Sequence, residues 1–454
     1  MKKYILIILC CLTSFPLWSY NVNMIVEHYS VDQGLPNNTV NCTLKDRDGF
    51  IWFGTWYGLC CFDGVKFKTF NKQEHDSDVP PRKIQRIVED KNGYIWVKTI
   101  DRKLYVFNKV TECFHAVYDD MKNYSENIQV IKLQNTAEGD VLLLTKDKNL
   151  LLAGVDEKGQ VTIKILFDSR NEINKHDYTL KHHVLCETEE YISWIGTDYK
   201  VAAVHKGSEL ASRPADFITS KINSGDKDSF TSFFEDGRKV WVGDRAGIFY
   251  SIDVRTGLVN RYVLSEIKGA ISNLLVTPAG YVYLSVAGQG TYEYDLAERR
   301  LQKINTEMND AMVTHAFIDQ YDKIWFHENE KALIYYDPLN HTAKRFPFTM
   351  FGKITTLYSE DAGERGLFFL SPAGEAWLFD REHAEMVYIN KLKQLSNDRA
   401  NQQFYHLMLD NDGVLWLSSA DEGVYCMNFP KKQFNLLSLS PQSVGQENYA
   451  TGVR

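Results

Sequence analysis

Six side chains have the types and setting to hold a carbohydrate-like ligand: Trp56, Tyr57, Arg102, Tyr199, Arg245 and His327. Flat aromatic rings stack on the C–H faces of a sugar, and planar polar groups hydrogen-bond its hydroxyls. Each follows directly on a recurring aromatic segment, in the company of Asp101, Asp198, Asp244, Gln289 and Glu328. Trp56, Tyr57, Tyr199 and Arg245 fit the chemistry best; the alternative for any of them is an ordinary solvated turn residue. Other chemistries lack their residues. His115, His182 and His183 have no third ligand at metal spacing, and no GxSxG, HExxH or phosphate-binding loop is present. Asp46 and Asp48 do not identify a glycosidase pair, because an acidic residue recurs at nearly every turn. There is no CxxC pair for zinc. Neither metal nor cofactor is expected, and the chain is not expected to be an enzyme.

The elements that would position these residues are given by internal repetition. Asp46-Arg47-Asp48-Gly49-Phe50-Ile51-Trp52-Phe53-Gly54-Thr55 returns as Asp90-Lys91-Asn92-Gly93-Tyr94-Ile95-Trp96-Val97-Lys98-Thr99 and as Asp410-Asn411-Asp412-Gly413-Val414-Leu415-Trp416-Leu417-Ser418-Ser419. The Asp-to-Trp step is six residues in all three. Weaker copies centre on Trp194, Trp241 and Trp325, and others replace the indole, around Leu142, Tyr283 and Phe369. The centres recur about every 45 residues, which is the length of four strands and their turns. Between them the pattern is short apolar alternation broken by Gly, Asp and Asn; only 390–399 reads as helical.

In the first unit the expected strands are 39–45, 50–54, 59–63 and 65–70, with 46–49 a tight turn. Asp at the first turn position accepts bonds from N–H groups ahead of it, and Gly at the fourth takes the positive φ that closes a type I turn with a bulge. In the seventh unit Asp322 holds that glycine position. The mid-strand Trp is expected to fill the wedge between neighbouring sheets, and the step Gly54-Thr55 to allow a close backbone approach. The fold class expected is all-β, a propeller of four-stranded blades. Loops joining second to third strands share one face with those joining successive blades, and the six candidate residues are placed on that face.

With 44% hydrophobic and 24% charged residues the chain has the composition of a folded protein. Its net charge of −8 lacks the basic footprint that phosphate backbones require, so direct nucleic-acid binding is not expected. Lys2-Lys3, the apolar run 4–12, and Ser14, Pro16 and Ser19 read as a secretory signal over residues 1–19; the apolar run is about half the length a membrane-spanning helix needs. Leu9 is too bulky for the position before a lipoprotein cysteine. The remaining cysteines, 42, 60, 61, 113, 186 and 426, lack paired spacing and read mostly as buried thiols.

The motif D-x-x-G-x-[IVL]-W-[FV]-G-T, with Gly34-Leu35-Pro36-Asn37-Asn38-Thr39-Val40 at the opening, resembles the two-component regulator propeller repeat in the periplasmic sensor region of hybrid two-component systems of gut Bacteroidetes. The resemblance runs from about Tyr29 to Arg454. It implies two seven-bladed propellers and an immunoglobulin-like domain ahead of a membrane helix, a histidine kinase, a receiver and a DNA-binding module. It also implies a periplasmic receptor, homodimeric at full length, that detects oligosaccharides and switches on glycan-utilisation genes. Nine units stand here where fourteen are implied, and 449–454 resembles the inner strand of a tenth. The family-consistent division is a seven-bladed ring over 20–345 and the start of a second, incomplete ring over 346–454, parting near 338–348. An eight-bladed ring or a strand exchanged between rings is the alternative, and the residues beyond the first ring are expected to behave poorly in isolation. Kinase and DNA-binding parts, and any membrane attachment, would lie outside these residues. Two other functions fit a propeller: a secreted lyase or hydrolase acting on a glycan, and a protein-interaction module.

Overall fold

The computed structural model describes residues 25–428, apart from 71–79, 123, 125–128, 170–179, 189, 197–200, 208–229, 305–312, 329–330, 349–357, 362–365, 372–374 and 390–403. The signal segment 1–19, the helix-like interval 390–399 and the tenth-unit strand 449–454 lie outside the described residues.

The repeat becomes a sheet. In the first unit the strands are Val40–Lys45, Ile51–Thr55, Gly58–Phe62 and Phe67–Phe70, hydrogen-bonded in chain order as an antiparallel meander. Nine such sheets are described, and each of the nine repeat centres falls on the second strand of one. The fourth has three described strands, Leu180–Glu187, Tyr191–Gly196 and Val201–His205. Among the described residues, helix is confined to a 3-10 turn, Val31–Gln33, and four residues at Tyr118–Met121.

The turn works as its residue types predict. Asp46 Oδ1 accepts the N–H of Asp48 at 3.0 Å and of Phe50 at 2.8 Å, and Gly49, at φ 92°, returns its N–H to the Asp46 carbonyl at 3.1 Å. Asp322 fills the glycine position of the seventh unit at φ 57°. Gly54 is closely approached, but by side chains and not by backbone: a β-carbon there would come within 2.6 Å of Ile84 Cγ2 on the next sheet.

Second strands read as continuous apolar runs because both faces are covered by neighbouring sheets. Apolar clusters therefore form at the junctions. Trp52 packs with Ile87, Val97 and Phe107 between the first and second sheets, and Trp96 with Leu133 and Leu143 between the second and third. Trp241 meets Leu274 and Leu284 between the fifth and sixth, and Trp325 meets Phe369 and Phe379 between the seventh and eighth. These indoles are all buried, so the wedge role expected of them holds. First strands lie against one another about an axis, and seven of them carry a one-residue bulge after their first residue, as between Val40 and Cys42 and between Ile84 and Arg86. The bulged Asn41 donates to the Ile84 carbonyl at 2.6 Å and Thr231 to the Ile271 carbonyl at 2.7 Å, tying sheet to sheet around the centre.

The all-β architecture of four-stranded propeller sheets is as expected, but the grouping of sheets differs. No break occurs at 338–348, where Thr342–Pro347 is the outer strand of the seventh sheet and Phe346 and Phe348 join the core of the eighth. The ninth sheet, Phe404–Leu409, Val414–Ser419 and Val424–Asn428, takes its outer strand from the other end of the chain, Ile25–Tyr29. Its Trp416 packs with Val40, Phe53 and Phe62 of the first sheet. The described sheets thus close into one ring, in place of the expected division into 20–345 and 346–454. The physical reason is that Ile25–Tyr29 pairs with the Val424–Asn428 edge, so that among the described sheets the ninth is covered by the strand that precedes the first.

Cys42 and Cys60 are buried and Cys61, Cys113 and Cys426 half-buried, all unbridged; burial pushes the thiols of Cys42, Cys60, Cys61 and Cys426 up to about 12. They act as small apolar side chains.

Candidate functional site

The turn between second and third strands and the link entering each sheet lie on one face, here the loop face. On it the structure brings the first and second sheets' candidates together. The carbonyl of Trp56 accepts the N–H of Lys83 at 2.9 Å, and the Lys83 carbonyl accepts the N–H of Ile100 at 2.9 Å. Arg102, at φ 68°, sits in the turn that follows, and its carbonyl accepts the N–H of Val130 on the third sheet at 2.9 Å. Lys83 Nζ lies 5.2 Å from the Trp56 ring centroid, a cation–π contact. Trp56, Tyr57 and Ile100 are 42%, 64% and 46% exposed, and Arg102 is exposed beside them. This patch offers two exposed aromatic rings, one of them with Lys83 stacked on it, beside a second cation, an arrangement able to stack on a ring and hydrogen-bond its substituents.

The other candidates are placed elsewhere. Arg245 is exposed in the corresponding turn of the fifth sheet, well around the ring from Trp56. His327 is not in a turn: it lies within the strand Ile324–Glu328, opposite His315, with its ring 5.1 Å from that of Phe348. Burial, with His315 adding, lowers its proton affinity below that of an ordinary histidine. Its position in the seventh unit is two residues short of where a turn would begin, matching Gly54 of the first, which is why the spacing misplaced it. Tyr199 and Asp198 lie outside the described residues. Asp244 and Glu328 are structural: Asp244 Oδ1 accepts the N–H groups of Ala246 and Ile248, and Glu328 is buried against Arg345 at 2.9 Å. Gln289 secures a loop through the Lys268 N–H at 2.7 Å and the Glu266 carbonyl at 3.1 Å. Asp101 pairs with Lys103 at 3.4 Å. His115 pairs with Asp120 at 2.7 Å; the side chains of His182 and His183 lie outside the described set.

The opposite face carries the Asp turns, and here sequence reasoning missed a network. Asp46 Oδ2 accepts the indole N–H of Trp52 at 2.8 Å, and the same bond joins Asp90 to Trp96, Asp236 to Trp241, Asp319 to Trp325 and Asp410 to Trp416. The Asp-to-Trp step, six residues in four of these units and five between Asp236 and Trp241, was its signal. A cation from the neighbouring sheet then completes three of these carboxylates: Lys109 at Asp46 (3.0 Å), Arg381 at Asp319 (2.6 Å) and Lys45 at Asp410 (3.3 Å). Asp46, Asp48 and Glu89 converge closely enough to suggest a cation site. The Lys109 ammonium already sits among them at 3.0, 2.9 and 2.8 Å, and these carboxylates hold its charged form well above the ordinary lysine range. The cluster is a filled cage.

Among the described residues no helix is long and apolar enough to cross a membrane. No match is found among the curated proteins. Among solved structures, the extracellular domain of a B. thetaiotaomicron protein described as a one component system aligns at 14% identity and TM-score 0.37, over 87% of this chain and 65% of that one. A second B. thetaiotaomicron extracellular domain, of a protein described as a hybrid two component system, aligns at 14% identity and TM-score 0.34, over 87% and 58%. The Dos1 propeller aligns at 11% identity and TM-score 0.47, over 88% and 93%. The chain spans less than two thirds of the length of the two B. thetaiotaomicron domains. Residues 34–57, the first strand, the Asp turn and the second strand through Trp56 and Tyr57, match the family described as the two component regulator propeller.

Proposed function

We propose that this chain is the extracytoplasmic ligand-sensing propeller of a two-component-type receptor, binding an oligosaccharide on its loop face at Trp56, Tyr57, Lys83 and Arg102. The observation that carries the reading is that the segment matching the regulator propeller family ends on two exposed aromatic residues, with a cation stacked on one of them. Exposed rings of this kind cost solvation unless a ligand covers them, and paired with guanidinium and ammonium groups they suit a hydroxyl-rich ring. Export through the segment 1–19 would place the site in the periplasm. Kinase output, gene regulation and dimerisation would belong to the rest of a longer receptor.

The test is calorimetric titration of the chain from residue 20 onward with a panel of plant and host glycan oligosaccharides, followed by chromatography of the incubated mixture. Binding without cleavage, weakened at least tenfold by Trp56→Ala, is the expected result. Cleaved product would instead establish a glycan lyase or hydrolase, and binding unaffected by Trp56→Ala would remove the loop face from the reading.

A further inference from the structure

The junction of the sixth and seventh sheets lacks the carboxylate, indole and cation that meet at Asp46, Asp319 and Asp410. In the sixth unit Thr277 stands at the Asp46 position and Tyr283 at the Trp52 position. On the seventh sheet Pro338 follows the third strand, Ala332–Asp337, where Lys109 follows Leu104–Asn108 and Arg381 follows Ala376–Asp380. Turn carboxylate and neighbouring cation are therefore both absent here, and a cleft of about 330 Å³ opens on the Asp-turn face, away from Trp56.

Its floor carries a carboxylate from another source. Glu293, on the third strand of the sixth sheet, is 4% exposed. Its Oε2 accepts the Tyr283 hydroxyl at 3.0 Å, in place of the indole bond made elsewhere, and the Tyr336 hydroxyl at 3.2 Å. Tyr336 oxygen in turn accepts from His341 Nδ1 at 3.1 Å. Burial and Glu293 push both phenols well above the ordinary tyrosine range, which keeps them as hydrogen-bond donors. Among the described residues Glu293 has no ion-pair partner, and its Oε1 has no hydrogen-bond partner although it borders the cleft. Lys323, the nearest cation in the lining, is committed to Asp337 at 2.7 Å, and Asp322 adds a further negative charge. The walls are Pro278, Tyr281, Tyr321 and Leu339. Two neutral donors satisfy the Glu293 carboxylate in part but leave its charge without a cation, and the aromatic walls beside it favour one.

We propose that this cleft binds a small organic ammonium ion, whose charged nitrogen takes at Glu293 the place that Lys109 takes at Asp46 and Arg381 at Asp319. Its volume is at the lower end of small-molecule pockets, which suits a ligand of one ring. The site is separate from the loop face and does not rest on the oligosaccharide reading.

The experiment titrates the chain from residue 20 onward, by calorimetry and ligand-observed NMR, with phenethylamine and glucosamine against their neutral counterparts phenethyl alcohol and glucose. At least one amine is expected to bind ten or more times more tightly than its neutral counterpart. Glu293→Gln, which retains an acceptor for both tyrosines, should weaken that binding at least tenfold. Pro338→Lys, which restores an internal ammonium, should do the same while raising the melting temperature. Circular dichroism checks that both variants are folded, and an oligosaccharide titration of Glu293→Gln, expected to match the parent, keeps the two sites distinguishable. Failure of both amines to bind, equal binding of the neutral compounds, or undiminished binding by folded Glu293→Gln would overturn the proposal.

Discussion

The indole N–H of Trp52 donates to Asp46 Oδ2 at 2.8 Å, although the two residues belong to different parts of the repeat, a turn and a mid-strand wedge. The bond couples the two devices that define each sheet. The carboxylate that organises the turn through Oδ1 also satisfies, through Oδ2, the only polar atom of the ring buried at the sheet junction, and receives Lys109 from the next sheet. Removing a buried acceptor strands its donors at about 1–3 kcal/mol. Asp46→Ala should therefore lower unfolding stability by about 1–3 kcal/mol, whereas Asp48→Ala, at an exposed carboxylate of the same cage, should leave it nearly unchanged. Urea titration followed by tryptophan fluorescence checks both, and equal effects would show that the Trp52 bond contributes nothing.

The period, the turn chemistry and the buried role of the indoles were legible in the sequence because each is a local consequence of residue type. Gly49 and Asp322 take positive φ where the pattern requires it, and Trp52, Trp96 and Trp325 are buried at junctions. Ring closure was not legible. The pairing of Ile25–Tyr29 with Val424–Asn428 joins opposite ends of the chain, and Ile25–Tyr29 carries no turn or indole to mark it as part of the ninth unit. The site was half legible for the same reason. Trp56 and Arg102 follow strong repeats and share a patch, while His327 follows a weaker one and falls inside its strand. Glu293 had no signal of its own, since its importance arises from what Thr277 and Pro338 lack.

Strand Ile25–Tyr29 yields a second prediction. Tyr29 lies 5.0 Å from Phe62 and 6.4 Å from Trp416, so it touches both sheets at the closing junction. Deleting residues 25–29 uncovers the Val424–Asn428 edge and part of that core. A closed ring is expected to unfold in one calorimetric transition, and the deletion to broaden that transition, lower its midpoint and produce higher-order species on size-exclusion chromatography. A deletion variant that melts like its parent would show that the ring is not sealed there.

Acid should weaken the fold through His406. This ring, paired across the first two strands of the ninth sheet with Ser418, has its Nδ1 buried without a hydrogen-bond partner among the described residues. Burial, with the positive charge of Arg86 adding, lowers its pKa from 6.5 to about 4. Above pH 6.5 the ring is neutral folded or unfolded and adds no pH dependence. Between 6.5 and about 4 the unfolded chain takes up a proton that the folded chain does not, so stability falls as pH falls. Below about 4 both are protonated and the loss levels off. Glu235 and Asp244, whose carboxyls burial raises, act in the opposite sense, so the histidine is isolated by difference. His406→Leu should lose less stability than the parent between pH 7 and pH 4.5 in urea titrations; parallel curves would exclude the ring as the source.

Trp56→Ala separates binding from stability. The ring is 42% exposed, its packing partner is the mobile-ended Lys83 side chain, and its main-chain bonds to Thr39 and Lys83 survive the substitution. Surface changes away from caps, cores and networks shift stability by no more than about 0.5 kcal/mol. Trp52→Ala, four residues earlier in the same match to the regulator propeller family, empties a buried junction and should cost about 3–5 kcal/mol. If the loop face is the sensing surface, Trp56→Ala abolishes oligosaccharide binding with an unchanged melting temperature, while Trp52→Ala lowers the melting temperature by many degrees. A Trp56→Ala protein that melts early would make that ring part of the scaffold, and the exposed patch at Tyr57, Lys83 and Arg102 would lose its role as a binding surface.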